Sequence, residues 1–134
     1  MPLIYQKWIS RDDLQANPEA RYVFGDNTQR RGLGGQAKEM RGEPNAIGIV
    51  TKWYPDTTNA AFFRDDDFHI DIIHQGVNDD LEMVMEAIEQ KRTVIWPLDG
   101  IGTGLSRLPQ NAPDLWGAME HARKEIEQYG KELQ

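Results

Sequence analysis

The 134-residue sequence contains no cysteine. Disulfides and thiolate-held metals are therefore excluded, and the fold has to rest on a packed core. No apolar run approaches the length of a membrane-spanning helix. The first residues lack the basic-then-apolar order of a secretory signal. These absences fit a cytoplasmic protein with no membrane partner. Bases are scarce as well: 15 Lys and Arg stand against 22 Asp and Glu, a formal net charge of −7. Binding to bulk nucleic acid relies on neutralising phosphates with cations, so none is expected. A local basic cluster can still hold one small phosphorylated ligand. The histidines His69, His74 and His121 form no i,i+4 pair of the kind that ligates zinc on a helix. Asp65, Asp66 and Asp67 lack the spacing and glycine of a calcium loop and read as a solvated acidic turn. Neither a metal nor a cofactor is expected.

What is there suits one soluble domain. The chain is long enough for a single core, and 39% hydrophobic with 28% charged residues is a globular composition. No repeat, low-complexity stretch or linker divides it. Residues 3 to 9, "LIYQKWI", read as a strand. Ser10 with Asp13 reads as a helix cap, with Ile9 and Leu14 as its hydrophobic staple, and Asn17-Pro18 ends that short helix. Strands are predicted over 21 to 25, over 46 to 52 ("AIGIVTK") and over 93 to 97 ("TVIWP"), the last buried and central. A helix over 35 to 41 stops at Gly42. Residues 54 to 67 are polar and read as a long loop. Across 78 to 91, Leu81, Val84, Met85 and Ile88 share a helical face; across 112 to 128, Leu115, Met119, Ala122 and Ile126 do the same. Strands alternating with helices predict an α/β domain spanning residues 1 to 134.

Two glycine-rich segments leave the carboxyl ends of predicted strands, the edge where such sheets bind ligands. The first, "VFGDNTQRRGLGGQAKEMRG" at 23 to 42, runs from strand to helix beside Arg30, Arg31, Lys38 and Arg41. Its glycines let a backbone come close to a ligand, and a helix start offers N–H groups to an anion. The second, "PLDGIGTGLSRLP" at 97 to 109, has glycines at alternate positions and can form an anion-binding nest of N–H groups. It is neither a nucleotide P-loop nor a Rossmann fingerprint, because no Gly-Lys-Ser/Thr follows and the glycine spacing differs. The residues alone leave a second reading open, in which both loops only turn the chain. Trp53 and Tyr54 can stack on a base or pack at the core, and Trp96 reads as core.

Together the two loops resemble the phosphate loops of macrodomains. "GDNTQRRGLGGQA" after "YVF" is similar to the first loop, and "GIGTGLSRLP" to the second. "GLSRL" and the strand "IVTK" resemble the branch of the terminal ADP-ribose protein glycohydrolases, and "GGQAKEMRGEPNAIGIVTK" resembles small proteins common in tailed phages. The likeness spans roughly residues 21 to 127. It implies a macrodomain-like three-layer fold, with a mixed sheet and helices on both faces. It implies an ADP-ribose-type ligand, free or attached to a macromolecule, in the host cytoplasm if the chain is phage-encoded. By the resemblance, Asn27 contacts the distal ribose, flanked by Gly32, Gly34 and Gly35. Gly100, Ile101, Gly102, Thr103, Gly104, Leu105 and Ser106 form the diphosphate loop. Lys52 falls on the branch's catalytic lysine, which attacks the ribose, and a partly buried lysine is suited to that step. Ser106 falls where the branch has its acidic partner. A serine hydroxyl is a poor acid or base at neutral pH, which favours ligand binding over ADP-ribosyl hydrolysis.

Overall fold

The computed structural model describes residues 3–133. Four strands, β1 (Leu3–Gln6), β2 (Arg21–Asn27), β3 (Ala46–Lys52) and β4 (Val94–Pro97), form one sheet in the order β1-β4-β2-β3. All of its ladders are parallel. This corrects the mixed sheet expected above. Each strand returns to the sheet through a helical crossover, and a crossover brings the next strand back in the same direction.

Helices α1 (Arg11–Ala16) and α2 (Ala37–Met40) cover one face of the sheet. Helices α3 (Ile70–Glu89), α4 (Leu108–Asn111) and α5 (Pro113–Glu132) cover the other. The pleat sorts the side chains between the two cores. Val23, Ile47, Ile49, Val94 and Trp96 point to the α3/α5 side; Tyr22, Phe24 and Ile95 point to the α1/α2 side, where Leu14 and Met40 meet them. The domain is thus α/β with helices on both faces. Trp96 is fully buried, as its sequence context suggests, although its indole N–H finds no partner among the described residues. No described helix is long and apolar enough to cross a membrane.

Several boundaries differ from the pattern in the sequence. β1 ends at Gln6, and residues 7 to 10 form a loop instead of strand. The capping box of α1 is present: the Ser10 Oγ accepts from the Asp13 N–H, and the Asp13 carboxylate accepts from the Ser10 N–H at 2.9 Å. At the other end of α1, the Asn45 amide donates to the carbonyls of Leu14 and Asn17, 3.0 Å each. Helix α2 is a single turn, and Gly42 follows it at φ 89°. Helix α3 begins eight residues before the predicted start of 78. Its first part, "IDIIHQGVN", is rich in β-branched residues, Gly and Asn, which have low helix propensity. Tertiary packing decides it: Ile73 and Val77 enter the core, and Gly76 lies so close to β3 that an added Cβ would sit 3.3 Å from Val50. The acidic turn at 65 to 67 is not merely solvated. Asp65 accepts from the N–H groups of Asp114 and Leu115 at the start of α5, and Asp67 accepts from the His69 N–H at the start of α3.

Crossovers β1–β2 and β2–β3 step one way with helices on one face; β3–β4 steps back with α3 on the other. That is the arrangement right-handed crossovers require. β2 and β4 are neighbours, and the chains leaving them diverge to opposite faces. Such a switch point opens a crevice at the carboxyl edge of the sheet.

Candidate functional site

A cleft of about 310 Å³ occupies that crevice. All four strands contribute to it from their carboxyl ends: Lys7 and Trp8 beyond β1, residues 25 to 27 of β2 and the loop after it, Lys52 and Pro55 at β3, and Pro97, Asp99, Gly100 and residues 102 to 106 at the end of β4 and beyond it. The two glycine loops form facing walls and nearly touch, since a Cβ on Gly34 would lie 3.1 Å from Leu105. Of the residues singled out by sequence, Asn27, Gly32, Gly34, Gly35, Lys52, Gly100, Gly102, Thr103, Gly104, Leu105 and Ser106 line the cleft. Ile101 does not. Its side chain turns down into the core, 1% exposed, and anchors the loop from beneath.

The second loop turns without using the N–H groups of its middle residues. Gly100 donates back to Pro97, closing a tight turn; Leu108 donates to Gly102 at 2.8 Å, closing the exit. Gly100 and Gly102 have φ of 94° and 83°, where a side chain is strained. None of the backbone N–H groups of residues 102 to 106 has a hydrogen-bond partner among the described residues, and all of these residues line the cleft. Thr51, fully buried on β3, supports the loop's end. Its hydroxyl lies 3.0 Å from the Asp26 carbonyl and 2.6 Å from the Ser106 hydroxyl. A carbonyl can only accept, so the Thr51 proton goes to Asp26. Ser106 must then donate to Thr51. The Ser106 hydrogen is therefore committed inward, and only lone pairs are left for the cleft.

The first loop is held by arginines. Asp26 is buried, and Arg41 grips both of its carboxylate oxygens, at 2.5 and 3.2 Å. The same guanidinium donates to the carbonyls of Gly32 and Arg31 and lies over the Phe24 ring. Arg30 reaches across the edge strand to Gly48 O and to both oxygens of Asp80, whose carboxylate also accepts from the Val50 N–H. Asp80 is a buried residue of α3 that carried no signal in the sequence beyond its place in an acidic pair. Burial pushes its pKa up, and Arg30 and Val50 oppose that shift. Asn27 lines the cleft, yet both ends of its amide are used inside the loop: Nδ2 donates to Arg31 O at 2.7 Å and Oδ1 accepts from Gln29 N at 3.0 Å. These two bonds fix its orientation in the wall and leave one amide hydrogen and one lone pair unassigned.

Around the cleft stand four basic side chains, Lys7, Arg31, Arg41 and Lys52, against two acidic ones, Asp26 and Asp99. Arg41 and Asp26 cancel each other. The remainder is a cationic pocket in a chain of net charge −7.

The sequence model of the family of unknown function DUF7831 matches residues 4–122, which takes in the sheet apart from Leu3, both loops and all of the cleft. The chain belongs to this family. No curated protein and no solved structure matches it. For this DUF7831 member, the site therefore has to be read from its own chemistry.

Lys52 is the most chemically distinctive group in that site. It is 8% exposed at the end of β3, where its ammonium donates to the Asp56 carbonyl at 3.0 Å and lies 5.9 Å from the centre of the Phe62 ring. Burial lowers its pKa, and the nearby Asp56 charge only partly offsets this. Burial disfavours the charged amine, so the folded protein releases this proton at lower pH than an unfolded chain does. The cost of holding Lys52 charged is present below its folded-state pKa and is relieved as pH rises through it. After reductive ¹³C-methylation, the Lys52 resonance is expected to titrate at lower pH than those of the other lysines. A Lys52 signal titrating together with the surface lysines would contradict this.

Two contributors escaped the sequence reading. Lys7 and Trp8 lie in a stretch that reads as strand, and only the end of β1 at Gln6 brings them to the cleft. Trp53, which the sequence left open between stacking and packing, packs: its indole N–H donates to Asp67, and its ring lies edge-on against Phe63.

Proposed function

We propose that this protein binds a phosphorylated nucleotide of the ADP-ribose type in the cleft between its two glycine loops. The observation that carries the reading is the run of N–H groups at 102 to 106, without partners among the described residues, in the cleft that Lys52 and Arg31 also line. Backbone N–H groups held rigid by a turn, next to fixed cations, suit a diphosphate. The resemblance to macrodomain loops favours ADP-ribose among such ligands. The acidic surface elsewhere limits attraction to long polyanions.

Calorimetric titration with ADP-ribose, ADP and NAD tests the proposal, with Gly104→Val as the decisive variant. Gly102 is unsuited to this purpose, because a Cβ there would press to 2.9 Å on the core residue Leu108. Gly104 lines the cleft, with open space around it and no positive φ, so valine adds bulk at the cleft wall without disturbing the fold. Gly104→Val is expected to weaken ADP-ribose binding at least roughly tenfold, the scale of one lost charge-assisted hydrogen bond. Its unfolding midpoint should stay near that of the parent. Unchanged binding in this variant would remove the loop from the site.

A second reading has one observation in its favour: a lysine of lowered pKa inside the cleft. In that reading the protein hydrolyses ADP-ribosyl groups from protein or nucleic acid, with Lys52 as nucleophile. Against it, the buried carboxylate of Asp26 is held by Arg41, and Ser106 brings no carboxyl.

A further inference from the structure

The rim of the cleft beyond β1 carries an aromatic surface that the phosphate chemistry leaves unused. Trp8 is 56% exposed, although it sits between Lys7 and the fully buried Ile9. Side chains hold the backbone at its carbonyl and at the next residue. The Gln6 amide donates to Trp8 O at 3.0 Å and to the Asp13 carboxylate at 2.8 Å. The Gln36 amide closes a two-way clasp on Ile9, accepting from its N–H and donating to its carbonyl, 2.8 Å each. Gln36 belongs to the first glycine loop, so the same side chain couples the position of Trp8 to the wall of the cleft. The Trp8 indole N–H makes no hydrogen bond among the described residues. The other tryptophans are engaged within the fold: Trp53 donates to Asp67, Trp96 is fully buried, and Trp116 packs on the core. A large apolar ring left bare on a rigid backbone, at the mouth of a cationic cleft, loses little freedom when a flat partner covers it.

We infer that Trp8 is the base platform of this site: the ligand's phosphates lie in the cleft, and its aromatic base stacks on the Trp8 ring. The inference rests on the nucleotide-binding reading and adds its selectivity. Ligands with a flat heteroaromatic base are favoured over sugar phosphates or inorganic phosphates of the same charge. Stacking is tolerant of base identity, since every base has a π face, so Trp8 selects for a base without choosing which one.

The test compares the parent, Trp8→Ala and Trp8→Phe by calorimetry with three probes: ADP, ribose 5-phosphate and pyrophosphate. Trp8→Ala is expected to weaken ADP binding about tenfold, within the range for one base stacked on an aromatic residue. Pyrophosphate affinity should not change. Trp8→Phe keeps a ring and should stay within about threefold of the parent for ADP, while lacking the tryptophan fluorescence quench expected when ADP binds the parent. Equal losses for ADP and pyrophosphate in Trp8→Ala would make Trp8 a support of the loop and overturn the inference. So would an unchanged ADP affinity, and so would a loss for ribose 5-phosphate matching that for ADP, since the ring would then be stacking on sugar. If pyrophosphate binds the parent as well as ADP does, the stacking inference falls and the phosphate site stands. If no probe binds the parent, both readings fall together.

Discussion

Arg41→Ala is expected to cost about 3 kcal/mol of folding stability, the lower end of what breaking a buried ion pair costs. Asp26 is the reason. Its side chain is 3% exposed beneath the cleft, and Arg41 supplies the short contacts to both of its oxygens. Arg30 stands farther off, at 3.6 Å, and is already committed to Asp80. Removing Arg41 leaves a buried carboxylate poorly compensated and frees the carbonyls of Arg31 and Gly32 that shape the first glycine loop. Ligand affinity should therefore fall along with stability. Urea unfolding gives the first number and calorimetry the second. Because most of the cost is the stranded charge, Asp26→Asn combined with Arg41→Met should be more stable than Arg41→Ala alone. A loss below about 1 kcal/mol for Arg41→Ala, in the range of surface ion pairs, would show that the pair does not hold the site together, as would a double variant no better than the single one.

Ser106→Asp is expected to create ADP-ribosyl hydrolysis that the parent lacks or performs only weakly. Attack by Lys52 alone does not complete turnover; the leaving group needs a proton and the intermediate needs release. Acid–base help is typically worth ~10²–10⁴-fold in rate, and Ser106, its proton already donated to Thr51, cannot supply it. A carboxyl at position 106 provides a group that can take and return a proton. The measurement is release of ADP-ribose from a modified protein by the parent, Ser106→Asp and Ser106→Asp with Lys52→Ala. A gain in the first variant that the second change removes supports a binder built on a glycohydrolase-like frame. Fast turnover by the parent that Lys52→Ala abolishes would overturn the preference for binding. No gain in Ser106→Asp would argue against Lys52 as a nucleophile in this geometry.

The local chemistry of the chain was legible wherever it acts over a few residues. The capping box at Ser10 and Asp13, the stop at Gly42, the β3 strand and the buried "VIWP" strand follow from caps, positive-φ glycine and apolar runs. So does the placement of two glycine loops at the carboxyl edge, which needs only alternating strands and helices. Helix α3 was read short because its first turns are poor helix formers held by contacts with β3. The place of Ile101 in the second loop was legible, but not that its side chain enters the core, because a loop side chain can face either way and spacing does not separate the two.

The sequence by itself determined the α/β class, the glycines that let two loops approach a ligand, and the lysine that ends β3. Tertiary structure alone decided which polar groups are free to act. Arg30, Arg41 and Asp26 all lie in or beside the first loop in the chain, and all are engaged with one another or with distant partners such as Asp80. Among the described residues, the N–H groups of residues 102 to 106 and the ring of Trp8 are left over. A residue type sets what a side chain can bond to. Whether that capacity is still available depends on neighbours brought close from elsewhere in the chain, and only the fold supplies them.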